Sequence, residues 1–143
     1  MSETSQNISW SYASAPENTD HIVLKEQYDL FINGEFIKPD SKKYFKSINP
    51  ATGEVIASIS EANKKDVDLA VASARKAFTS WSKIEPKERA KYIFRIARMI
   101  QERAKEFAII ESIDGGKPIR ESRDVDIPLA AQHFFYYAGL CLV

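Results

Sequence analysis

VIASISEANKKDVDLAVASARKAFTSW, residues 55–81, decides the fold class, because its hydrophobic period changes partway along. Val55, Ala57 and Ile59 alternate with Ile56, Ser58 and Ser60. A period of two marks a half-buried strand. From Val67 the period is that of a helix. Val67, Ala70, Val71, Ala74, Ala77, Phe78 and Trp81 fall on one face, and Lys65, Asp68, Arg75 and Lys76 on the other. Asn63 is the N-cap, and Asp66 places negative charge in the first turn. The spacing predicts an amphipathic helix resting on one partner surface. One stretch therefore holds a strand and then a helix, the α+β signature.

Upstream, Leu30-Phe-Ile32 and Glu35-Phe-Ile37 flank Asn33-Gly34. Asn-Gly between apolar runs signals a hairpin, since a type I′ turn needs positive φ at both central residues. Tyr44–Ile48 reads as a further extended piece, closed by the turn Asn49-Pro-Ala-Thr-Gly53. Residues 1–27 are polar with scattered apolar side chains and read as an irregular arm.

Downstream, a long helix is predicted from Pro86 at N1 to about Ile113, stopped by Asp114-Gly-Gly116. Its inner stripe is Ile93, Ile96, Ala97, Ile100, Ala104, Phe107, Ala108 and Glu111. A third helix starts at Pro118 and reaches at least Ala138, with Pro128 kinking or splitting it. The whole is α+β, a strand-rich arm followed by three helices.

The chain has 143 residues, 44% hydrophobic and 28% charged, with 20 basic against 20 acidic side chains and one cysteine. Those are globular values and exclude wholesale disorder and a disulfide scaffold. A formal net charge of zero gives no bulk electrostatic reason to bind nucleic acid or a membrane surface. No run is apolar enough to span a bilayer, and Met1–Trp10 lacks the pattern of a secretion signal. A lone cysteine leans toward a reducing compartment, so the cytoplasm is the expected location.

A catalytic constellation does not emerge. The five glycines stand at 34, 53, 115, 116 and 139, each at a turn or helix end, so no Gly-rich phosphate loop exists. His21 and His133 are far apart, and Cys141 has no partner cysteine. Cys141 reads as a small apolar residue and His133 as a core or interface histidine. Lys91, Arg95 and Arg98 share a helical face, which reads as a solvated surface rather than a nucleic-acid helix.

Six segments in order carry a family resemblance: Leu30-Phe-Ile-Asn-Gly-Glu-Phe36; Asn49-Pro-Ala-Thr-Gly-Glu54; Asp66-Val-Asp68 with Ala70, Ala74, Phe78 and Trp81; Pro86 with Glu88-Arg-Ala90; Glu111-Ser-Ile-Asp-Gly-Gly-Lys-Pro118; and Phe135-Tyr-Tyr-Ala-Gly139. Together they resemble the N-terminal part of the NAD(P)-dependent aldehyde dehydrogenase superfamily. The resemblance implies that residues 28–143 are the N-terminal part of a truncated aldehyde dehydrogenase domain, one piece of an incomplete α/β dinucleotide-binding domain. It implies NAD(P)-dependent oxidation of an aldehyde to a carboxylic acid through a cysteine thioester, in an enzyme that is a homo-oligomer when complete. The family's nucleophile, base and cofactor motifs map beyond this chain. No catalytic or cofactor-binding residue is therefore assigned, NAD or NADP is expected only in the complete enzyme, and the chain alone is expected to be inactive. The alternative is a non-catalytic interaction module that pairs with a full-length paralogue. Leu140-Cys-Leu-Val143 departs from the family pattern, as a frameshift, a premature stop or a partial gene product would make it.

Family members often hold a monovalent cation between a backbone carbonyl and a carboxylate at positions corresponding to Ile48 and Asp114. The competing reading is that Asp114 only terminates its helix. With few strands to cover its helices, the chain is also expected to expose apolar surface, worst at Phe107, Phe134, Phe135, Tyr136 and Tyr137.

Overall fold

A computed structural model describes residues 19–142. Of the 27-residue arm, residues 1–18, with Trp10 and Tyr12, lie outside the described residues; a 3-10 turn occupies Thr19–His21.

Three strands form one small sheet: β1 (Gln27–Tyr28), β4 (Tyr44–Ile48) and β5 (Val55–Ser60), in the order β1-β5-β4. β4 and β5 are antiparallel around the Asn49–Glu54 turn, with Phe45 opposite Ile59. β1 runs parallel to β5, with Tyr28 opposite Ile59, a pairing with no counterpart in the sequence reading. β2 (Leu30–Ile32) and β3 (Glu35–Ile37) form the expected hairpin, with Phe31 opposite Phe36. Asn33 and Gly34 have φ of 57° and 84°, the two positive angles of a type I′ turn.

α1 (Lys64–Trp81) begins where the sequence places it. The Asn63 side chain accepts from the Lys65 and Asp66 N–H groups, and Asp66 reaches back to the Asn63 N–H at 2.8 Å, completing a capping box. The partner surface expected for this helix is absent among the described residues. Val67, Val71 and Phe78 are all more than half exposed, and the only buried residue of α1 is Asp66.

The expected single helix from Pro86 is two. α2 (Pro86–Glu102) and α3 (Ala104–Gly115) are separated by Arg103, whose φ of −106° and ψ of 18° leave the helical region. Neither proline nor glycine marks this break. Arg103 forks onto Glu106 at 2.9 and 2.7 Å, and its guanidinium lies 5.3 Å from the centre of the Phe107 ring. The change of direction lets α3 bury Ala108 and Ile109 beside the segment that follows it.

The third helix is also divided. Pro118 caps a short α4 (Ile119–Glu121), a π turn follows at Ser122–Asp126, and α5 runs Ile127–Leu140. The proline ring at 128 lacks an N–H, so the ladder cannot pass it unchanged. The wider turn before it restores a bond from the Ile127 N–H to the Ser122 carbonyl. Ser122 is fully buried, and its hydroxyl meets that of Ser112 at 3.2 Å.

The core lies where α2 crosses α5. Ala90 and Ala97 of α2 meet Ala131 and Ala138 of α5, all buried, and the small side chains let the helices approach closely. The Phe94 and Phe135 rings close the contact edge-on, with centroids 4.8 Å apart. Phe135 is therefore half-buried, against expectation, while Phe107, Phe134, Tyr136 and Tyr137 are exposed as expected. The worst exposure lies elsewhere, at Val23 with 94%, followed by Phe31 and Phe36 of the hairpin at 64% and 63%, whereas Phe107 and Phe134 reach only 37% and 38%.

Candidate functional site

The turn Asn49–Glu54 is fixed by its own sequence. The Asn49 side chain accepts from the Ala51 N–H at 2.9 Å, the Gly53 N–H returns to the Asn49 carbonyl at 2.8 Å, and Gly53 takes φ of 77°. The C-terminus of α3 docks on this turn. Gly116 caps α3 with φ of 68°, and a Cβ there would come within 2.6 Å of the Pro50 ring. Only glycine allows both the backbone angle and the approach.

This docking brings the ends of β4 and α3 together. The Ser47 hydroxyl donates to the Asp114 carboxylate across 67 residues of sequence. Asp114 thus does more than terminate its helix: it reaches the residue next to Ile48. A cleft of about 260 Å³ opens beside the pair, lined by Leu24, Tyr28, Ile59, Ile110 and Ile113, with Ser47 and Asp114 at its polar edge. Among the described residues no group of three or more His, Cys, Asp or Glu gathers around a common point. Any ion here would take one carboxylate and otherwise neutral oxygens.

The other residues weighed for chemistry stay apart. Cys141 caps α5 and is half-buried, with its backbone N–H on the Tyr137 carbonyl. His133 is exposed on α5 rather than in the core. Lys91, Arg95 and Arg98 do share a face, as their spacing requires, and line a groove between α2 and α5.

Two polar clusters were not legible in the sequence. Asp66 accepts from the Asp40 N–H at 3.0 Å as well as from Asn63, so one carboxylate ties the loop after β3 to the start of α1. Asp40 in turn accepts from the Asn63 amide at 2.8 Å and lies 3.3 Å from Lys65. The Asn63 amide and then Lys65 hold its carboxyl below the usual range. Lys117 is gripped by Asp126 at 2.5 Å and Glu111 at 3.1 Å, which raise its pKa in that order. Beyond the Asn63 cap and the first-turn Asp66, the sequence signals neither cluster, because a carboxylate's backbone, amide or lysine partners cannot be picked out by residue type alone.

The sequence profile of the aldehyde dehydrogenase family matches residues 36–142. Aldehyde dehydrogenase B of Escherichia coli (strain K12) is 37% identical over 118 residues, covering 82% of this chain and 23% of its own length. DhaS of Bacillus subtilis (strain 168), whose name also refers to an aldehyde dehydrogenase, is 43% identical over 114 residues, 78% of this chain and again 23% of its own length. The solved NAD+ complex of an aldehyde dehydrogenase from Bacillus cereus superposes with a TM-score of 0.77 at 41% identity, over 80% of this chain and 24% of that one. The chain thus spans about a quarter of the length of the relatives it matches.

Proposed function

Because the chain belongs to the aldehyde dehydrogenase family, we propose that it forms the N-terminal region of an NAD(P)-dependent aldehyde dehydrogenase and does not oxidise aldehydes by itself. In the complete enzyme a bound nicotinamide would supply the hydride acceptor for oxidation of the aldehyde to the acid, and the cysteine nucleophile and the base that activates water would come from sequence beyond the matched region. The observation that carries the inactivity is the junction of β5 and α1. A dinucleotide needs a glycine-rich strand-to-helix turn with free N–H groups aimed at its pyrophosphate. Here the junction is Glu61-Ala-Asn63: the Glu61 N–H goes to the Lys43 carbonyl and the Asn63 N–H to the Asp66 carboxylate, while the first helical N–H groups, of Lys65 and Asp66, go to the Asn63 side chain. A carboxylate at that position repels a phosphate, so this junction offers no pyrophosphate cradle, and the family's cofactor motifs map beyond this chain. Cys141 has no base within its own turn of helix.

The test is to incubate the purified chain with NAD or NADP and a panel of aldehydes and to follow absorbance of the reduced nicotinamide. No turnover is expected. Turnover abolished by Cys141→Ser would overturn the reading and make Cys141 the nucleophile.

The same reading assigns the Ile48 carbonyl and the Asp114 carboxylate to a monovalent cation, supported by the Ser47–Asp114 contact beside Ile48. Melting in potassium or sodium chloride against choline chloride is expected to differ, and Asp114→Asn to remove the difference. Equal melting in all three salts would eliminate the site. A cytoplasmic, homo-oligomeric complete enzyme completes the proposal; no helix among the described residues is long and apolar enough to cross a membrane. The uncovered face of α1 favours one further reading, a non-catalytic module that pairs with a full-length paralogue.

A further inference from the structure

Between α2 and α5 runs a groove of about 710 Å³. Its floor is Ala90, Phe94, Phe135, Ala138 and Leu142. Along the α2 wall stand Lys87, Lys91, Arg95 and Arg98, one for each turn of helix. At a rise of 1.5 Å per residue the row runs roughly 16 Å. Glu102 is the one acidic side chain in the lining, and it lies 3.9 Å from Arg98 at the end of the row. Four cations against Glu102 in the lining and Glu88 paired to Lys91 leave an excess of two positive charges, in a chain whose formal net charge is zero. Lys91 pairs with Glu88 at 2.6 Å, while Lys87 and Arg95 make no ion pair among the described residues.

We propose that this groove binds an acidic amphipathic α-helix of a separate partner polypeptide. The partner's apolar stripe would lie on the Phe94–Phe135 floor, and its Asp or Glu residues, spaced one per turn, would face the row from Lys87 to Arg98. The periodicity selects this occupant. Cations at helical intervals over three turns match carboxylates at the same intervals, whereas a fatty acid brings a single charged head. The opposite wall supports a helix too, because Gly139 has no side chain to hold a partner's backbone away. This inference is independent of the aldehyde dehydrogenase reaction and survives or fails apart from it.

The probe is a fluorescein-labelled synthetic helix of about 18 residues, with Leu and Ala on one face and Glu at every turn beside them. It is titrated with the full chain, and anisotropy is read. Saturable one-to-one binding is expected, weakened by about tenfold in the double variant Lys87→Glu/Arg95→Glu and by salt near 0.5 M. Both altered side chains are exposed and unpaired, so the helices should persist, which circular dichroism checks. The same peptide with Lys in place of Glu should not bind. Three results would overturn the proposal: equal binding of the Lys peptide, which means apolar adhesion; undiminished binding to the double variant; or a wild-type dimer in sedimentation that the double variant dissolves, which gives the groove to a second copy of this chain. Sodium decanoate that binds saturably and needs the same two cations would assign it instead to a lipid-like amphiphile.

Discussion

α1 and α2 are built from similar sequence patterns and end in opposite states. Both have an apolar stripe at helical spacing and charges on the far side, and α2 lays its stripe on α5, which carries no charged side chain. In the α2–α5 pair, Ala97 is wholly inaccessible and Phe94 meets Phe135. In α1 the stripe from Val67 to Phe78 faces outward, and the helix is held at a few points: the Asp66–Asp40 tie, Ser73 on Asn33 at 3.1 Å, and Trp81 against Tyr92 with rings 5.8 Å apart. Local signals set a helix's start and stop, but its stability comes mainly from a packed face. α1 has the signals without the face.

The comparison breaks most sharply at Ala97. Ala97→Asp should cost about 3–5 kcal/mol by placing an unpaired charge where two helices cross. Near-ultraviolet dichroism from Phe94 and Phe135 should vanish with it. The same change at Ala74, exposed on α1, should leave that signal in place. Equal damage at both positions would mean that α1 has a packed partner.

The next effect concerns the α3 terminus. Gly116→Ala must hold a left-handed residue against the Pro50 ring and should destabilise by about 2 kcal/mol. Gly115→Ala, one residue earlier and with nothing within 4 Å of the added carbon, should be neutral or stabilising. Urea midpoints of the two variants decide it, and a tie would mean that α3 does not dock on the turn.

Asp66→Ala removes the tie at the start of α1 and strands the Asp40 and Asn63 N–H groups. A loss of about 1–2 kcal/mol is expected, read as reduced helix content by far-ultraviolet dichroism. Acid should loosen the same cluster. Asp40 has a depressed pKa, so its contribution is full above the ordinary value of 3.8 and is lost as pH falls through the lower folded value. Lys65→Met should shift that acid transition toward higher pH, since one of the two groups holding Asp40 ionised is gone.

How much could be read in advance follows the same division. The hairpin was legible because Asn33-Gly34 has one good use, and the α1 start because Asn63 and Asp66 stand three apart. The α3 stop was legible in Asp114-Gly-Gly116, although only the structure shows Pro50 pressing on Gly116. The parallel β1–β5 pairing was not, since a two-residue strand has no period and its partner is 31 residues away at Ser58 and Ile59. The break at Arg103 has no proline or glycine to announce it, whereas Pro128 announced a disturbance without saying that a π turn would absorb it. At the proposed cation site, the resemblance pointed to Asp114, while nothing in the sequence signalled its contact with Ser47. The stripe on α1 shows that a face needs cover, without showing what supplies it.

The smallest expected effect tests that last point. Val71 and Phe78 are 58% and 56% exposed and line a shallow depression with Ala74 and Arg75. Replacing both by Lys removes apolar area that is largely in contact with water already, so the stability of the isolated chain should change by no more than about 0.5 kcal/mol. Lysine is also a good helix former, and the Asn63 cap is untouched. Binding of a hydrophobic dye should fall, because two large apolar side chains leave the surface. Covered by a partner, whether further sequence of the same enzyme or a paralogue, the same pair would be buried, and the double variant would weaken that association by several-fold or more. Dye titration and melting of the isolated chain, with and without the substitutions, separate the cases. Lower dye binding at unchanged stability shows a face awaiting cover. A loss of several kcal/mol would show instead that α1 folds its stripe onto this chain in solution.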